Sequence, residues 1–399
     1  MECILANFNY GNGPFIKTLH LGLQINKERV QRGFEEIPII VPLVYGNKQL
    51  SIMSEEFDKE IKKNPSIFLI DKFIGGLLED IFYKGDNYQQ SLENLLKRQP
   101  LAEDRLQDYL SGSFKTQTLS GKTFVLNKEL IFFELSNNPK LLTGCQRSFM
   151  TTEGLFSKIL YKAVLEPSLD LDISLLNETR IQIANKIEEN KNIILLSEPS
   201  IFSYESNKKR WREEIFTPPF THPPKNNTEE ISNGMYIMVS GIEGLRKFFD
   251  VAKNFNIILY CPPYTNLEGA NNSYPPEIVS NPNIKYQFAR TGWSTVWWSH
   301  MSETPLITFP YQKYDDPEIF FNERTVKKLN LATIYNEGID NPEDILKIAD
   351  SKVNNLKYVN SRLLENYGTI DGIEYMSRII CDFLDGTSIE SYKNVEQVL

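Results

Sequence analysis

The sequence predicts an α/β protein of two Rossmann-like domains facing a cleft, and three observations carry that reading. Compact apolar runs alternate with amphipathic helical stretches along the chain, the pattern of parallel sheets covered by helices. The alternation breaks once, at residues 217–228, which hold four prolines in twelve residues and suit a linker. The 399 residues also exceed a single domain of about 150 residues. The expected division is a first domain over 1–216, a linker over 217–229, a second domain over 230–385, and a C-terminal helix over 386–399 that packs back on the first domain.

The first domain opens with an apolar strand from Cys3 to Asn7, a turn containing Gly11 and Gly13, and an amphipathic helix from about Phe15 to Arg32. Residues 37–44 and 66–70 are continuous apolar runs of the kind that parallel sheets bury on both faces, and the second ends in Asp71. Residues 83–150 are polar and irregular. They read as decoration of the first domain, with a helix near 90–110 and a β-like stretch from Lys122 to Leu135. A helical pattern near 172–190 leads into a strand over 192–196.

Beyond the linker the alternation restarts with a strand from Met235 to Val239, a small turn at Ser240 and Gly241, a helix over 243–254 and a strand from Asn256 to Tyr260. A strand over 283–288, a helix near 294–302, a strand from Pro305 to Phe309 and helices over much of 341–385 complete the second domain. Ligands in such sheets bind where the carboxyl ends of the strands emerge.

Composition narrows the chemistry. The chain carries 43 basic and 52 acidic residues for a net charge of −9 and has no long Lys/Arg run, which argues against nucleic-acid binding through a general phosphate field. Cys3, Cys145, Cys261 and Cys381 are scattered without a CxxC pair, so they read as reduced core thiols rather than zinc ligands or a disulfide framework. His20, His222 and His300 are the only histidines, too few for a multi-histidine metal site. Neither a metal nor a permanently bound cofactor is expected. No apolar run approaches the roughly 18 residues that span a bilayer, and the first residues lack a basic stretch followed by an apolar one. A cytoplasmic location is expected, with peripheral membrane contact left open.

The most informative stretch runs from Gln287 to Asn322: a strand, a small-residue turn, a helix, a proline-led strand and an acidic loop. Backbone N–H groups at a helix start, the hydroxyls of Ser294 and Thr295, and the close approach allowed at Gly292 make an anion site that suits a diphosphate. Arg290 adds a charge-assisted contact. Trp293, Trp297 and Trp298 offer a stacking face. Trp297 and Trp298 are adjacent on the helix and cannot share a face, so at least one belongs to the core.

Over roughly 283–338 this arrangement resembles the donor-binding segment of GT-B glycosyltransferases of the UDP-glycosyltransferase type. Arg290 stands where that family has a phosphate-contacting histidine. Gly292, Trp293, Ser294 and Thr295 match its glycine, tryptophan and small hydroxyl positions, and Pro305 and Pro310 its two prolines. Asp315 or Asp316 takes the acidic position that holds sugar hydroxyls. Trp298 replaces the ribose-binding glutamate, with Glu303 as the alternative ribose contact. Ser240 and Gly241 are similar to the first loop of the family's donor domain.

In the first domain, Gly11 and Gly13 flank Asn12, which stands where the family's first loop presents a catalytic histidine. Asparagine takes no proton at neutral pH. The resemblance leaves two acceptor-side candidates for the base. One is Asp71, which resembles the carboxylate that orients the family's histidine. The other is His20, if it reaches the cleft. Against these stand the plainer readings of Asp71 as a helix cap and His20 as a surface or packing residue.

The implied function is sugar transfer, with inversion, from a nucleoside-diphosphate sugar, a UDP-sugar above all, to a hydroxyl of a small molecule, lipid or glycan. A catalytically inactive homologue that binds nucleotide-sugar or regulates a partner, and a sugar-nucleotide epimerase, are the alternatives.

Overall fold

The computed structural model describes residues 2–82, 87–169, 171, 178–205, 211–239, 245–263, 265, 267–312 and 315–397. The chain forms two compact units. The first comprises Met1–Ser197, Lys209–Thr217 and Ile373–Val395; the second comprises Glu198–Lys208, Pro218–Gly372 and Glu396–Leu399.

The first unit is built on β1 (Cys3–Phe8), β2 (Ile39–Pro42), β3 (Phe68–Asp71), β4 (Phe114–Gln117), β5 (Thr123–Leu126), β6 (Ile131–Asn137), β7 (Ser148–Thr152), β8 (Ile193–Ser197) and β9 (Glu214–Thr217). Among the described residues they pair in the order β5-β4-β3-β2-β1-β6-β7-β8-β9. Every neighbouring pair from β3 to β9 is parallel, and β4 and β5 add an antiparallel hairpin at one edge. Strands β1 and β2 are buried along their whole lengths, as a sheet covered on both faces requires. The order reverses between β1 and β6, which makes their carboxyl ends the switch point of the sheet.

Three boundaries differ from the sequence reading. The stretch from Lys122 to Leu135 is two strands, separated by a short 3-10 turn at Lys128–Leu130 that Asn127 caps. The second of them, β6, is a central strand with Phe133 and Leu135 in the core rather than decoration. The first helix spans Asn12–Gln31, beginning three residues before the predicted Phe15. Its N-cap is Gly11, held at φ 113°, a conformation that glycine adopts without the steric cost other residues meet.

The return to the first unit begins at Ile373, whereas the sequence reading puts it at 386. The helix Gly372–Leu384 carries the buried Ile373, Met376, Ile379, Ile380 and Cys381. Phe383 packs against Phe149 with ring centroids 5.4 Å apart. Arg32 pairs with Asp382 and Asp385 at 2.8 Å each.

A buried ion pair ties the first sheet together. Lys191 Nζ lies 2.9 Å from Glu134 Oε1 with both side chains excluded from solvent. The same carboxylate accepts from Asn7 Nδ2 at 2.8 Å, Thr143 Oγ1 at 2.6 Å and Ser148 Oγ at 2.8 Å. Burial alone would raise this carboxyl, but Lys191 and the donors outweigh it and hold it below its ordinary value.

The second unit carries β10 (Gly234–Met238), β11 (Ile258–Tyr260), β12 (Ile284–Ala289), β13 (Leu306–Thr308) and β14 (Ala332–Ile334). Among the described residues these form an all-parallel sheet in the order β11-β10-β12-β13-β14, which reverses at β10. One face packs Phe248 and Phe249 of the helix Arg246–Asn254 against Phe288 and Tyr335. The predicted turn at Ser240 and Gly241 lies outside the described residues.

His300 is fully buried near the end of the helix Trp293–Met301, with Nδ1 2.7 Å from Asn360 Oδ1. Burial pushes its pKa down to about 4, against the opposing pull of the Asn360 bond. The folded state therefore disfavours imidazolium, so the stability contributed by His300 is present above its ordinary value of 6.5 and is lost as pH falls from there toward 4. Melting followed from pH 7 to 4 should show this loss, on the order of 3 kcal/mol, and His300→Gln should flatten that part of the profile.

Candidate functional site

Each sheet presents a cluster of polar groups where its strands end, and each cluster is built within one unit. In the second unit, β12 ends at Ala289 and the chain turns through Arg290, Thr291 and Gly292 into the helix Trp293–Met301. Gly292 is the N-cap, with extended backbone at φ −73° and ψ 140°. A side chain there would meet nothing within 4 Å, so its place is open space rather than a conformational necessity. The first N–H groups of a helix have no intrahelical partner; here they lie at the carboxyl edge of the strand next to the switch strand β10. Ser294 is exposed and Thr295 half-buried in that first turn.

The turn is braced from the neighbouring helix Pro317–Lys328, where the buried Asn322 donates through Nδ2 to the Thr291 carbonyl at 2.8 Å. Arg290, 25 positions from Asp315, meets it at 2.5 Å between Nη1 and Oδ1, and its guanidinium lies 5.1 Å from the centroid of the Phe309 ring. Asp316 instead caps the helix Pro317–Lys328, accepting from the Glu318 N–H at 2.8 Å. The fold thus brings Arg290 and Asp315 together beside the helix start that holds Gly292, Trp293, Ser294 and Thr295.

The tryptophans divide between core and margin. Trp293 and Trp297 are buried, with ring centroids 6.1 Å apart, and Trp297 Nε1 donates to the Pro199 carbonyl at 2.8 Å. Trp298 is half-buried and donates to Thr221 Oγ1 at 3.1 Å. The side chain in the ribose-contacting position of the resemblance is thus engaged with residue 221 of its own unit, and Glu303 lies 3.6 Å from Lys357 Nζ.

In the first unit, Gly11 donates its N–H to the Tyr45 hydroxyl at 2.7 Å, and Asn12 is exposed at the helix start with Gly13 beside it. His20 is eight residues further on, about 12 Å along the helix axis. Its Nε2 lies 2.8 Å from Glu56 Oε1, and its ring packs at a tilt against Phe57 with centroids 4.9 Å apart. The fold does not bring His20 to Asn12.

Asp71 is fully buried at the end of β3. Oδ1 accepts from the Ile74 N–H at 2.8 Å as the N-cap of the helix Lys72–Ile81, and Oδ2 accepts from the Tyr109 hydroxyl at 3.0 Å. Desolvation raises its pKa above the ordinary value, partly offset by those bonds.

Two features of the first unit carry no signal in the sequence. Lys17 Nζ meets Glu153 Oε1 at 2.6 Å, with side-chain exposures of 11% and 10%. A small recess of about 30 Å³ is walled by Ile81, Phe82, Leu92, Leu95 and Phe156, with Asn9 and Lys140 also lining it. Lys17 and Glu153 lie 136 positions apart, and the recess joins the stretch 81–95 to Asn9, Lys140 and Phe156 from distant parts of the chain. Asn322 has a fainter signal, a polar residue at a helix position that turns out to be fully buried. Among the described residues no group of three or more His, Cys, Asp or Glu is placed to hold a metal ion, and no helix is long and apolar enough to cross a membrane.

No family model and no curated protein matches the sequence. Solved structures do match its fold. The Arabidopsis thaliana UGT89C1 complexed with UDP-L-rhamnose aligns over 96% of this chain and 98% of its own at a TM-score of 0.60 and 14% identity. The glycosyltransferase SnogD from Streptomyces nogalater aligns over 96% and 99% at a TM-score of 0.59 and 10% identity. TcCGT1 in complex with UDP aligns over 96% and 99% at a TM-score of 0.56 and 10% identity. The chain shares the two-domain GT-B fold of these structures.

Proposed function

We propose that this protein transfers a sugar from a nucleoside-diphosphate sugar of the UDP class to an acceptor hydroxyl. The observation that carries the reading is the helix start at Gly292–Thr295, set at the carboxyl edge of β12 with Arg290 beside it. Backbone N–H groups and a guanidinium aimed at one place suit a diphosphate. They would do their catalytic work on the negative charge that gathers on the leaving diphosphate as the sugar–oxygen bond breaks. Solved structures of similar fold hold UDP or UDP-L-rhamnose, which supports this choice of donor class.

The acceptor belongs to the first unit in this reading, near Gly11, Asn12 and Gly13, where the recess lined by Asn9 supplies an apolar wall. An in-line attack on the anomeric carbon inverts its configuration and requires the acceptor hydroxyl to lose a proton. Asp71 is raised in the direction a general base needs, yet both its oxygens are occupied by a backbone N–H and a tyrosine hydroxyl. The cap and the Tyr109 bond together account for these contacts, so positioning of the acceptor carries more of the catalysis than a dedicated base, with the acceptor proton lost to solvent.

A second reading is favoured by a specific observation. Asn12 replaces an ionisable side chain at the first loop, and His20 is engaged by Glu56 instead. An inactive nucleotide-sugar-binding homologue would look the same there. Such a protein would bind donor without releasing sugar.

A thermal-shift screen against UDP, dTDP, GDP, ADP and their glucose, N-acetylglucosamine, galactose and mannose conjugates separates these readings, because a ligand that binds only the folded state raises its melting temperature. UDP and one UDP-sugar should stabilise the protein, and Arg290→Ala should remove most of the shift. Slow release of free sugar from that donor marks an active enzyme, its absence the inactive homologue, and no shift with any nucleotide sinks the donor site altogether.

The two roles of Asp71 make opposite predictions. Asn keeps an acceptor for the Ile74 N–H, so Asp71→Asn should retain the fold and donor hydrolysis, whereas Asp71→Ala should lose roughly 1 kcal/mol of stability with the cap. Loss of sugar transfer in a well-folded Asp71→Asn protein would return Asp71 to the chemistry.

A further inference from the structure

The ion pair at the heart of the proposed donor site is made by two of the residues assigned to it. Arg290 Nη1 donates to Asp315 Oδ1 at 2.5 Å, with side chains 38% and 18% exposed. Both partners are held in place from behind. The guanidinium stacks over Phe309 at 5.1 Å. Asp315 closes a turn through its N–H to the Gln312 carbonyl at 2.8 Å, and its Oδ2 accepts from the Gln312 N–H at 3.3 Å. The Tyr311 hydroxyl donates to the Asp315 carbonyl at 3.2 Å. An N–H group of a guanidinium that is spent on a carboxylate is not available to a phosphate oxygen.

We propose that Asp315 is a built-in competitor of the donor diphosphate: the incoming nucleotide displaces its carboxylate from Arg290. The proposal rests on the donor-site reading above. A diphosphate carries more negative charge than one carboxylate and also gains the helix N–H groups at Trp293 and Ser294, so it wins the exchange. The charge of Asp315 therefore opposes nucleotide binding through the one guanidinium that both anions use. Asp316 does not duplicate this role, because its side chain caps the helix Pro317–Lys328.

Isothermal titration of the full chain with UDP and with UDP-glucose tests the exchange. Asp315→Asn should bind UDP about threefold tighter than the wild type, as expected for removal of a partly exposed ion pair, and Asp315→Ala should shift in the same direction. Arg290→Ala should weaken both ligands, and in its background Asp315→Asn should no longer tighten UDP, since the coupling is between these two side chains. Melting of the unliganded variants checks that the fold survives. If the wild type binds UDP and Arg290→Ala weakens it while Asp315→Asn leaves UDP unchanged or weaker, the competitor role is overturned and the donor site stands. If the wild type binds no UDP, both are overturned.

Discussion

A parallel sheet has to be covered on both faces, and the rest of this structure follows from that requirement. Most crossovers return the chain through a helix, so the parallel strands leave each sheet at the same edge and the loops that follow them gather there. In the second unit this brings the loop after β12 beside the loop after β13, and so Arg290 beside Asp315. In the first unit it brings the helix start at Asn12, the end of β3 at Asp71 and the pair Lys17–Glu153 to the edge of one sheet. The polar chemistry is therefore a product of topology. The apolar runs that build the strands fix where the functional groups emerge.

Charge at these edges is matched internally. Arg290 has Asp315 and Lys17 has Glu153, while the core of the first sheet buries Glu134 with Lys191 and three further donors. The core pair and the edge pairs differ in what they can do. Opening Glu134–Lys191 would strand a buried charge at large cost, so it fixes the sheet. Arg290–Asp315 is partly solvated, its contribution is modest, and it can be exchanged for a ligand. The functional reading depends on that contrast between a fixed pair and an exchangeable one.

Much of the fold was legible because buried parallel strands are written as continuous apolar runs. Residues 37–44 contain β2, and 66–70 and 192–196 overlap all but the last residue of β3 and β8. β6 was harder to place: its sequence Ile-Phe-Phe-Glu-Leu-Ser-Asn mixes apolar residues with the buried Glu134, Ser136 and Asn137, whose partners lie on other strands and cannot be inferred locally. The return of the chain at Ile373 was hidden for a related reason, since the helix Gly372–Leu384 looks the same whichever unit it covers. At the site, the turn Arg290–Thr295 was legible from its small residues and their spacing. Asp71 and His20 were ambiguous because their roles turn on Tyr109 and Glu56, 38 and 36 positions away.

The central claim is that a nucleotide diphosphate docks on the start of the helix Trp293–Met301. A crystal structure of the protein soaked with UDP tests it most directly. The account predicts diphosphate density against the N–H groups of Trp293 and Ser294, with Arg290 turned from Asp315 onto a phosphate oxygen. UDP density elsewhere would contradict it.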